Sequence, residues 1–207
     1  MTGNLLGLPR RAAAATTGDH ASPTPGATLT LRVYNYAHIN RGLLSRSEQV
    51  ATAIFESVGV QIVWLDCPLS QEQFRAYPAC QSDLGTADLV LNILSRQMAM
   101  KLSTLDEPLG FARPCMETVP ACELTVLYYR VDEVAADGYR ADRILGFVIA
   151  HEMTHVLIGP DHARDGIMRG GWSSDDLERI SWGLPLHFTK DQSRELRSAI
   201  LRRTKPD

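Results

Sequence analysis

The pattern of apolar and polar side chains predicts five strands along the chain. Residues 28–36 alternate between apolar and polar side chains and are rich in residues that favour strands. Residues 60–65, 88–94 and 124–131 are mostly apolar runs, a pattern typical of strands buried in a sheet. Residues 109–113 lie between two prolines, and because proline cannot donate to a strand ladder, they indicate an edge strand.

The first predicted helix follows the first strand. Ser45 or Ser47 can cap it, and Glu48, three residues after Ser45, completes a capping-box pattern. Apolar residues then recur at helical spacing up to Gly59, a suitable end for a helix. Residues 67–86 are rich in polar residues, proline, serine and glycine, and this composition predicts a loop.

Two further helices are predicted in the second half of the chain. A long apolar helix covers residues 142–158, and Gly159 and Pro160 end it. A last helix begins at Thr189 as N-cap, with a glutamine three residues later, and ends near residue 203. The order is therefore strand, helix, strand, strand, edge strand, strand, helix. This order predicts an α/β fold, in which helices pack on a mixed sheet.

Composition and charge narrow the class of protein. A chain of 207 residues suits one domain with extensions, at roughly 150 residues per domain. The 21 basic and 24 acidic residues give a net charge of −3, which argues against a nucleic-acid-binding protein. No apolar run reaches the roughly 18 residues that a membrane-spanning helix needs. We therefore expect a globular protein without a membrane span. We also expect it to be a monomer.

The N-terminal residues 1–27 differ from the rest of the chain. They are rich in alanine, threonine, glycine and proline without an amphipathic period, so they predict a disordered leader before a single domain at 28–207. The leader does not form a clear signal peptide, because its two arginines follow its short apolar stretch instead of preceding it.

The four cysteines allow three pairings. They are Cys67, Cys80, Cys115 and Cys122. Pairing of nearest neighbours, Cys67 with Cys80 and Cys115 with Cys122, would close two loops and indicate a secreted or periplasmic protein. Four buried free thiols in a cytoplasmic protein are the alternative. Spacing alone does not decide between them.

The segment HEMTH at residues 151–155 carries the clearest chemical signal in the sequence. Three of the six histidines fall within residues 151–162. On a helix, His151 and His155 lie on one face, so their imidazoles can bind one metal ion. Glu152 projects beside them, where a carboxylate can take a proton from a water that the metal activates. The plain alternative is a helix with two ordinary surface histidines.

The residues after this segment favour a metal site. Gly159 and Pro160 end the helix, and His162 follows as a possible third ligand, which a catalytic zinc site needs beside an open position for water. Residues 166–169 form a turn that carries Met168, whose side chain can pack as an apolar floor beneath a metal. Met168 is otherwise an ordinary core residue.

These motifs together resemble the metzincin zinc peptidases. The segment HEMTHVLIGPDH followed by GIM is similar to their HExxH helix, glycine turn, third histidine and Met-turn. It also resembles an uncharacterised bacterial group with the pattern HExxHLLLG…H…GIMR. The resemblance implies a mixed twisted sheet with an antiparallel edge strand, divided into an upper subdomain at 28–159 and a reduced lower subdomain at 160–207 that ends in a helix. It implies one catalytic Zn²⁺, Glu152 as general base, and a peptide or protein substrate.

One departure from the family pattern concerns the third ligand. The usual glycine and ligand positions fall here on Ile158 and Asp161, whereas Gly159 and His162 keep the Gly-x-x-His unit one residue later. We favour His162 as the ligand, with Asp161 as an alternative ligand or as a partner that orients an imidazole. The resemblance also implies that the edge strand pairs with an extended substrate, and its residues are Leu109, Gly110, Phe111 and Ala112.

Three other interpretations of the site stay open. A gluzincin-type peptidase would take an acidic ligand from Asp175, Asp176 or Glu178, although capping of a helix explains these residues better. A non-catalytic binding protein would close a structural zinc site with Asp161 or Cys115. A latent peptidase would have Cys115 on the metal.

Some residues receive no catalytic role from the sequence. The two tryptophans of the C-terminal half, Trp172 and Trp182, are expected in the core or in a pocket wall. The isolated histidines have no assigned role, and they are His20, His38 and His187.

Overall fold

The computed structural model describes residues 27–103, 109–113 and 122–204. Its strands are β1 (Ala27–Asn35), β2 (Val60–Asp66), β3 (Asp88–Leu94), β4 (Gly110–Arg113) and β5 (Cys122–Leu127). Its helices are α1 (Arg41–Glu56), α2 (Gln71–Phe74), α3 (Pro78–Gln81), α4 (Arg96–Lys101), α5 (Tyr128–Ala136), α6 (Ala141–Ile158), α7 (Ser174–Trp182) and α8 (Lys190–Arg203). The predicted leader falls almost wholly outside the described residues, and so does Cys115.

The five strands form one sheet in the order β2-β1-β3-β5-β4. Strands β2, β1, β3 and β5 pair in parallel, whereas β4 runs antiparallel to β5, with Gly110 opposite Val126 and Arg113 opposite Glu123. The predicted α/β class with a mixed sheet and an antiparallel edge strand is therefore confirmed. Within the described chain, the outer side of β4 pairs with no strand.

Helix α6 packs against the sheet and against α1. It is apolar on all sides, and most of its residues are buried, so it lies inside the domain and not on its surface. Gly146 permits the close approach of α1, because an added β-carbon there would lie 2.6 Å from Val50 Cβ and 2.7 Å from Ser47 O. The same burial holds the second half of α6, which carries the HExxH segment, in a fixed position on the sheet.

The first helix begins earlier than its capping pattern predicted. Asn40 is the N-cap of α1, and its side chain accepts a hydrogen bond from Gly42 N at 2.8 Å. Ser47 is fully buried almost two turns later, and its hydroxyl donates to Leu43 O at 3.0 Å. The prediction of Ser45 or Ser47 as N-cap is wrong, because a serine can satisfy its hydroxyl inside a helix as well as at its start.

The chain around residues 124–131 also differs from its prediction as one strand. Strand β5 ends at Leu127, which pairs with Leu94, the last residue of β3. Because β3 offers no further backbone groups to pair with, the following tyrosines begin helix α5 at Tyr128. The predicted loop at 67–86 contains two short helices, α2 and α3, and the chain after β3 forms α4. The last helix has the predicted Thr189 cap.

Two of the cysteine predictions have structural outcomes. Cys67 and Cys80 form a disulfide across 13 residues, as nearest-neighbour pairing predicted. Cys122 is disulfide-bonded as well, and no described cysteine is free. The alternative prediction of free thiols is therefore wrong for Cys67, Cys80 and Cys122. None of the helices in the described ranges is long and apolar enough to span a bilayer.

Candidate metal centre

The C-terminal half of α6 places two imidazoles side by side. His151 and His155 lie one turn apart, and their ring centroids are 4.6 Å from each other. Their Nε2 atoms approach to 2.9 Å. His151 is buried and His155 is half-buried, so the pair faces a partly enclosed space at the end of the helix.

A turn after α6 brings a third imidazole to the first two. Gly159 ends the helix with φ of 110°, a conformation that favours glycine. The ring centroid of His162 then lies 5.3 Å from that of His151 and 4.8 Å from that of His155. One nitrogen from each of the three rings lies within 4.8 Å of the other two. In the described ranges, no other three histidine, cysteine or carboxylate side chains bring potential metal ligands this close together.

Backbone carbonyls fix which nitrogen of each α6 imidazole faces the cluster. Nδ1 of His151 lies 2.8 Å from Ile167 O, and Nδ1 of His155 lies 2.9 Å from Gly159 O. Because a carbonyl only accepts, each Nδ1 carries the proton and each Nε2 presents a lone pair. Two lone pairs held 2.9 Å apart repel each other unless a cation lies between them. This donor set fits a metal ion such as zinc, which takes neutral imidazole nitrogens at roughly 2.0–2.1 Å.

The ionisation of these imidazoles suits the same role. Burial lowers the pKa of His151 to about 4, with help from the neighbouring His155 and His162 and against the hydrogen bond to Ile167. Burial likewise lowers the pKa of His155. Both rings are therefore neutral near pH 7, the form of imidazole that binds metals.

Glu152 is buried beside the histidines and faces the edge strand. The side chain is only 6% exposed. A β-carbon added to Gly110, the first residue of β4, would lie 3.0 Å from Glu152 Cγ and 3.1 Å from its Oε1. The carboxylate therefore lies against the backbone of β4 and lines the same cleft as the three histidines.

A cleft of about 430 Å³ connects the three histidines with the edge strand. Both predicted groups of residues line it, the HExxH helix with Glu152 and the strand segment 109–112. Most of its other wall is apolar, with Val148, Pro160 and Trp172. The structure therefore brings the three histidines, Glu152 and segment 109–112 to one cleft, whereas Asp161 and Met168 do not line it.

The turn that carries Met168 lies next to this cleft. Ile167 and Met168 are each 1% exposed, and Met168 O accepts a hydrogen bond from Ala163 N at 2.7 Å. Gly166 has φ of 81°, and an added β-carbon would collide with the carbonyl oxygen of His187. His187, which the sequence left without a role, thus holds this turn through its backbone.

The acidic candidates lie outside the histidine cluster. Asp176 is half-buried, completes a capping box with Ser173 and pairs with Arg169 at 2.7 Å. Asp175, Glu178 and Asp161 are exposed. Burial lowers the pKa of His155, and the negative charge of Asp161 only partly opposes this lowering. Helix capping therefore accounts for Asp176, as the sequence favoured.

The two tryptophans of this region differ in position. Trp172 lines the cleft as expected for a pocket wall, whereas Trp182 is 81% exposed, so its prediction as a core or wall residue is wrong. Sequence reasoning also missed the carbonyls of Ile167 and Gly159. No sequence signal could reveal these two partners, because every residue type carries a backbone carbonyl.

Comparisons with known proteins concern the fold. No protein-family model matches the sequence, and no curated protein matches it. The structure aligns with archaemetzincin from Methanopyrus kandleri at 17% identity and a TM-score of 0.49, over 86% of this chain and 99% of that one. It aligns with metalloproteinase-II from Bacteroides fragilis at 13% identity and a TM-score of 0.49, over 86% of this chain and 55% of that one. It aligns with myroilysin at 11% identity and a TM-score of 0.37, over 84% of this chain and 74% of that one. Sequence identities below 25% bear on the fold alone and not on the chemistry of the site.

Proposed function

We propose that this protein is a zinc-dependent metalloendopeptidase. One observation carries the proposal: three imidazole nitrogens lie within 4.8 Å of one another in a cleft that a buried glutamate and an unpaired strand edge also line. Ligands, base and peptide-binding edge are the parts that hydrolysis of a peptide bond requires.

The three histidines would hold one Zn²⁺, with Met168 packed in the buried turn behind them. When bound, zinc would polarise the scissile carbonyl and make a water acidic enough to attack it. Glu152 would accept the proton of that water on its carboxylate and deliver it to the nitrogen of the leaving amine. Its burial keeps the carboxylate in place for both transfers.

Strand β4 would bind the substrate by adding a strand to the sheet. Its outer edge offers backbone N–H and C=O groups that no strand of the described chain takes. Segment 109–112 would align an extended peptide across the cleft, with the scissile bond between Glu152 and the histidines. The predicted partner is therefore a peptide or an unfolded segment of a protein, bound by a monomer.

The compartment would be oxidising. The disulfide between Cys67 and Cys80 is consistent with a secreted or periplasmic protein, because such bonds persist where thiols are not kept reduced.

Metal analysis combined with a peptide-library assay tests this function. The wild-type protein should contain one zinc per chain and cleave peptides internally. Glu152→Gln should keep the zinc and lose roughly 10²–10⁴-fold in kcat, because the amide cannot accept the proton. Glu178→Gln, an exposed carboxylate outside the cleft, is the matched control.

Two results would contradict the proposal. Full peptidase activity in Glu152→Gln would remove Glu152 as the base. A wild-type protein that binds zinc, cleaves no library peptide and unfolds when chelated would instead be a binding protein with a structural zinc site.

A further inference from the structure

Trp172 and His151 share one hydrogen-bond acceptor, the carbonyl oxygen of Ile167. Nδ1 of His151 lies 2.8 Å from this oxygen, and Nε1 of Trp172 donates to it at 3.3 Å. A carbonyl oxygen has two lone pairs, so it can accept both hydrogen bonds at once. Ile167 itself is 1% exposed, so water does not compete for this oxygen.

The indole ring also forms a wall beside the imidazole. The ring centroids of Trp172 and His151 are 5.9 Å apart with planes at 86°. Phe147, one turn earlier on α6, also contacts the indole edge to face, with ring centroids 6.2 Å apart and planes at 90°. Edge-to-face contacts of this kind favour one relative orientation of two rings.

The backbone around Trp172 holds the indole in place. The next residue, Ser173, is the N-cap of α7, and its capping box with Asp176 fixes the start of that helix. Asp176 also accepts a hydrogen bond from Arg169 at 2.7 Å, which closes the short segment from 169 to 176. The indole N–H is therefore presented to Ile167 O by a rigid element rather than by a free loop.

We propose that Trp172 is a positioning residue for the metal ligand His151. Trp172 donates to Ile167 O and packs against the imidazole, and so holds this carbonyl toward Nδ1 of His151. With the proton on Nδ1, Nε2 stays deprotonated and points at the cluster. This inference rests on the proposed zinc site. It assigns a function to a side chain that otherwise only lines the cleft.

The rate of zinc release tests this role on the zinc-loaded protein. Trp172→Phe keeps an aromatic wall but removes the N–H donor. A chromophoric chelator should then remove zinc roughly 10-fold faster or more, in the range that loss of a ligand's supporting hydrogen bonds produces. Trp182→Phe, the same substitution at an 81% exposed site, should release zinc at the wild-type rate.

A second variant and a second readout separate positioning from packing. Benzothienylalanine placed only at position 172 keeps the shape of the indole and replaces the N–H by sulfur, so it should also speed zinc release even if Trp172→Phe folds poorly. The NMR resonance of the His151 Nδ1–H proton should shift in both variants and stay in Trp182→Phe.

The rate of zinc release and the melting temperature together separate the possible results. Faster zinc release in the benzothienyl variant with an unchanged melting temperature of the chelated protein supports the inference. Wild-type release rates in both variants at 172 overturn it, even if the melting temperature falls. A wild-type protein that binds no zinc would overturn the proposed function instead, before any variant is compared.

Discussion

The side chain of Glu152 packs against the backbone of Gly110, so that a β-carbon at residue 110 would lie 3.0 Å from Glu152 Cγ. The contact joins the proposed base on α6 to the first residue of the proposed substrate strand. Because Gly110 has no side chain, the carboxylate can lie directly over the strand backbone. The base and the strand edge are therefore positioned by each other.

Gly110→Ala should impair catalysis without removing the metal. The added methyl group would also lie 2.6 Å from Thr125 O, a backbone atom, so β4 must shift as well as Glu152. We expect a loss of about 1–3 kcal/mol in the free energy of unfolding, typical of overpacking, and at least a tenfold fall in kcat. Zinc content should stay at the wild-type level, since no histidine is touched.

Gly171→Ala is the control for this substitution. Gly171 lines the same cleft, but an added β-carbon there meets nothing within 4 Å. Its stability and zinc content should match those of the wild type. Equal activity in Gly110→Ala and the wild type would show that the contact with Glu152 does not position the base.

Residues that restrict the backbone by themselves make some features of this fold predictable from the sequence. The strand at 109–113 was recognisable because flanking prolines restrict a strand to an edge, and the helix at 142–158 because its apolar run ends at Gly159 and Pro160. Each of these signals comes from the conformational restriction of a proline or glycine, so it does not depend on contacts with the rest of the fold.

Other features depend on contacts that form only after folding. The end of β5 at Leu127 is set by the end of its partner β3, which the local sequence does not contain. The Nδ1 partners of His151 and His155 are carbonyls, and the contact of Gly110 with Glu152 crosses 42 residues of chain. The ligand types were therefore predictable from the sequence, whereas their orientation was not.

Substitution of His162 should distinguish it from Asp161 as the third ligand. The imidazole of His162 lies with those of His151 and His155, whereas Asp161 is not part of this cluster. His162→Ala should weaken zinc binding strongly, by at least two orders of magnitude in a competition assay with a chelator. Asp161→Ala should change it by less than about tenfold, the effect expected of a charge that only acts on His155. The opposite order of effects would make Asp161 the ligand.

Asp142 should give the protein a pH-dependent stability on the acid side. It lies in the first turn of α6, and its carboxylate accepts from Arg46 at 2.9 Å and from Arg140 at 2.7 Å. Burial alone would raise the pKa of Asp142, but the hydrogen bonds and charges of Arg140 and Arg46 outweigh it and hold the pKa below its usual range. The ion pair with Arg46 ties the start of the proposed catalytic helix to α1.

The Asp142 carboxylate stabilises the fold only while it is ionised. Because the pKa in the folded protein lies below the unfolded value of about 3.9, the carboxylate stabilises the fold above that pH. The contribution is lost as the pH falls through the lower, folded-state pKa. Asp142→Asn should lower the free energy of unfolding at pH 7 by about 1–3 kcal/mol, and the difference from wild type should shrink below about pH 4.

Urea denaturation at a series of pH values measures this difference. Asp191→Asn is the control, because Asp191 also pairs with an arginine, Arg194, but its side chain is 88% exposed. An exposed pair contributes at most about 1 kcal/mol, so this variant should follow the wild-type curve. A constant difference between Asp142→Asn and the wild type from pH 7 to pH 3 would show that the carboxylate charge is not what stabilises α6.

The disulfide between Cys67 and Cys80 should stabilise the fold without affecting the metal centre. It follows β2, at the opposite edge of the sheet from β4, and ties the short helix α3 to the end of that strand. Arg32, 4% exposed, donates to Ser82 O at 2.7 Å and so fixes the chain just beyond Cys80. Because this arginine already orders the segment, part of the loop would persist without the disulfide.

Replacing both cysteines of this pair by alanine should lower the free energy of unfolding by about 2–3 kcal/mol, the range for a closed loop of this length. Zinc content and kcat should stay at wild-type values, and a loss of zinc would show that the two edges of the sheet are coupled. Thiol titration of the denatured wild-type protein should find no free thiol, because Cys67, Cys80 and Cys122 are bonded and the predicted partner of Cys122 is Cys115. A free thiol assigned to Cys115 would instead favour a latent peptidase, in which that side chain is available to the metal.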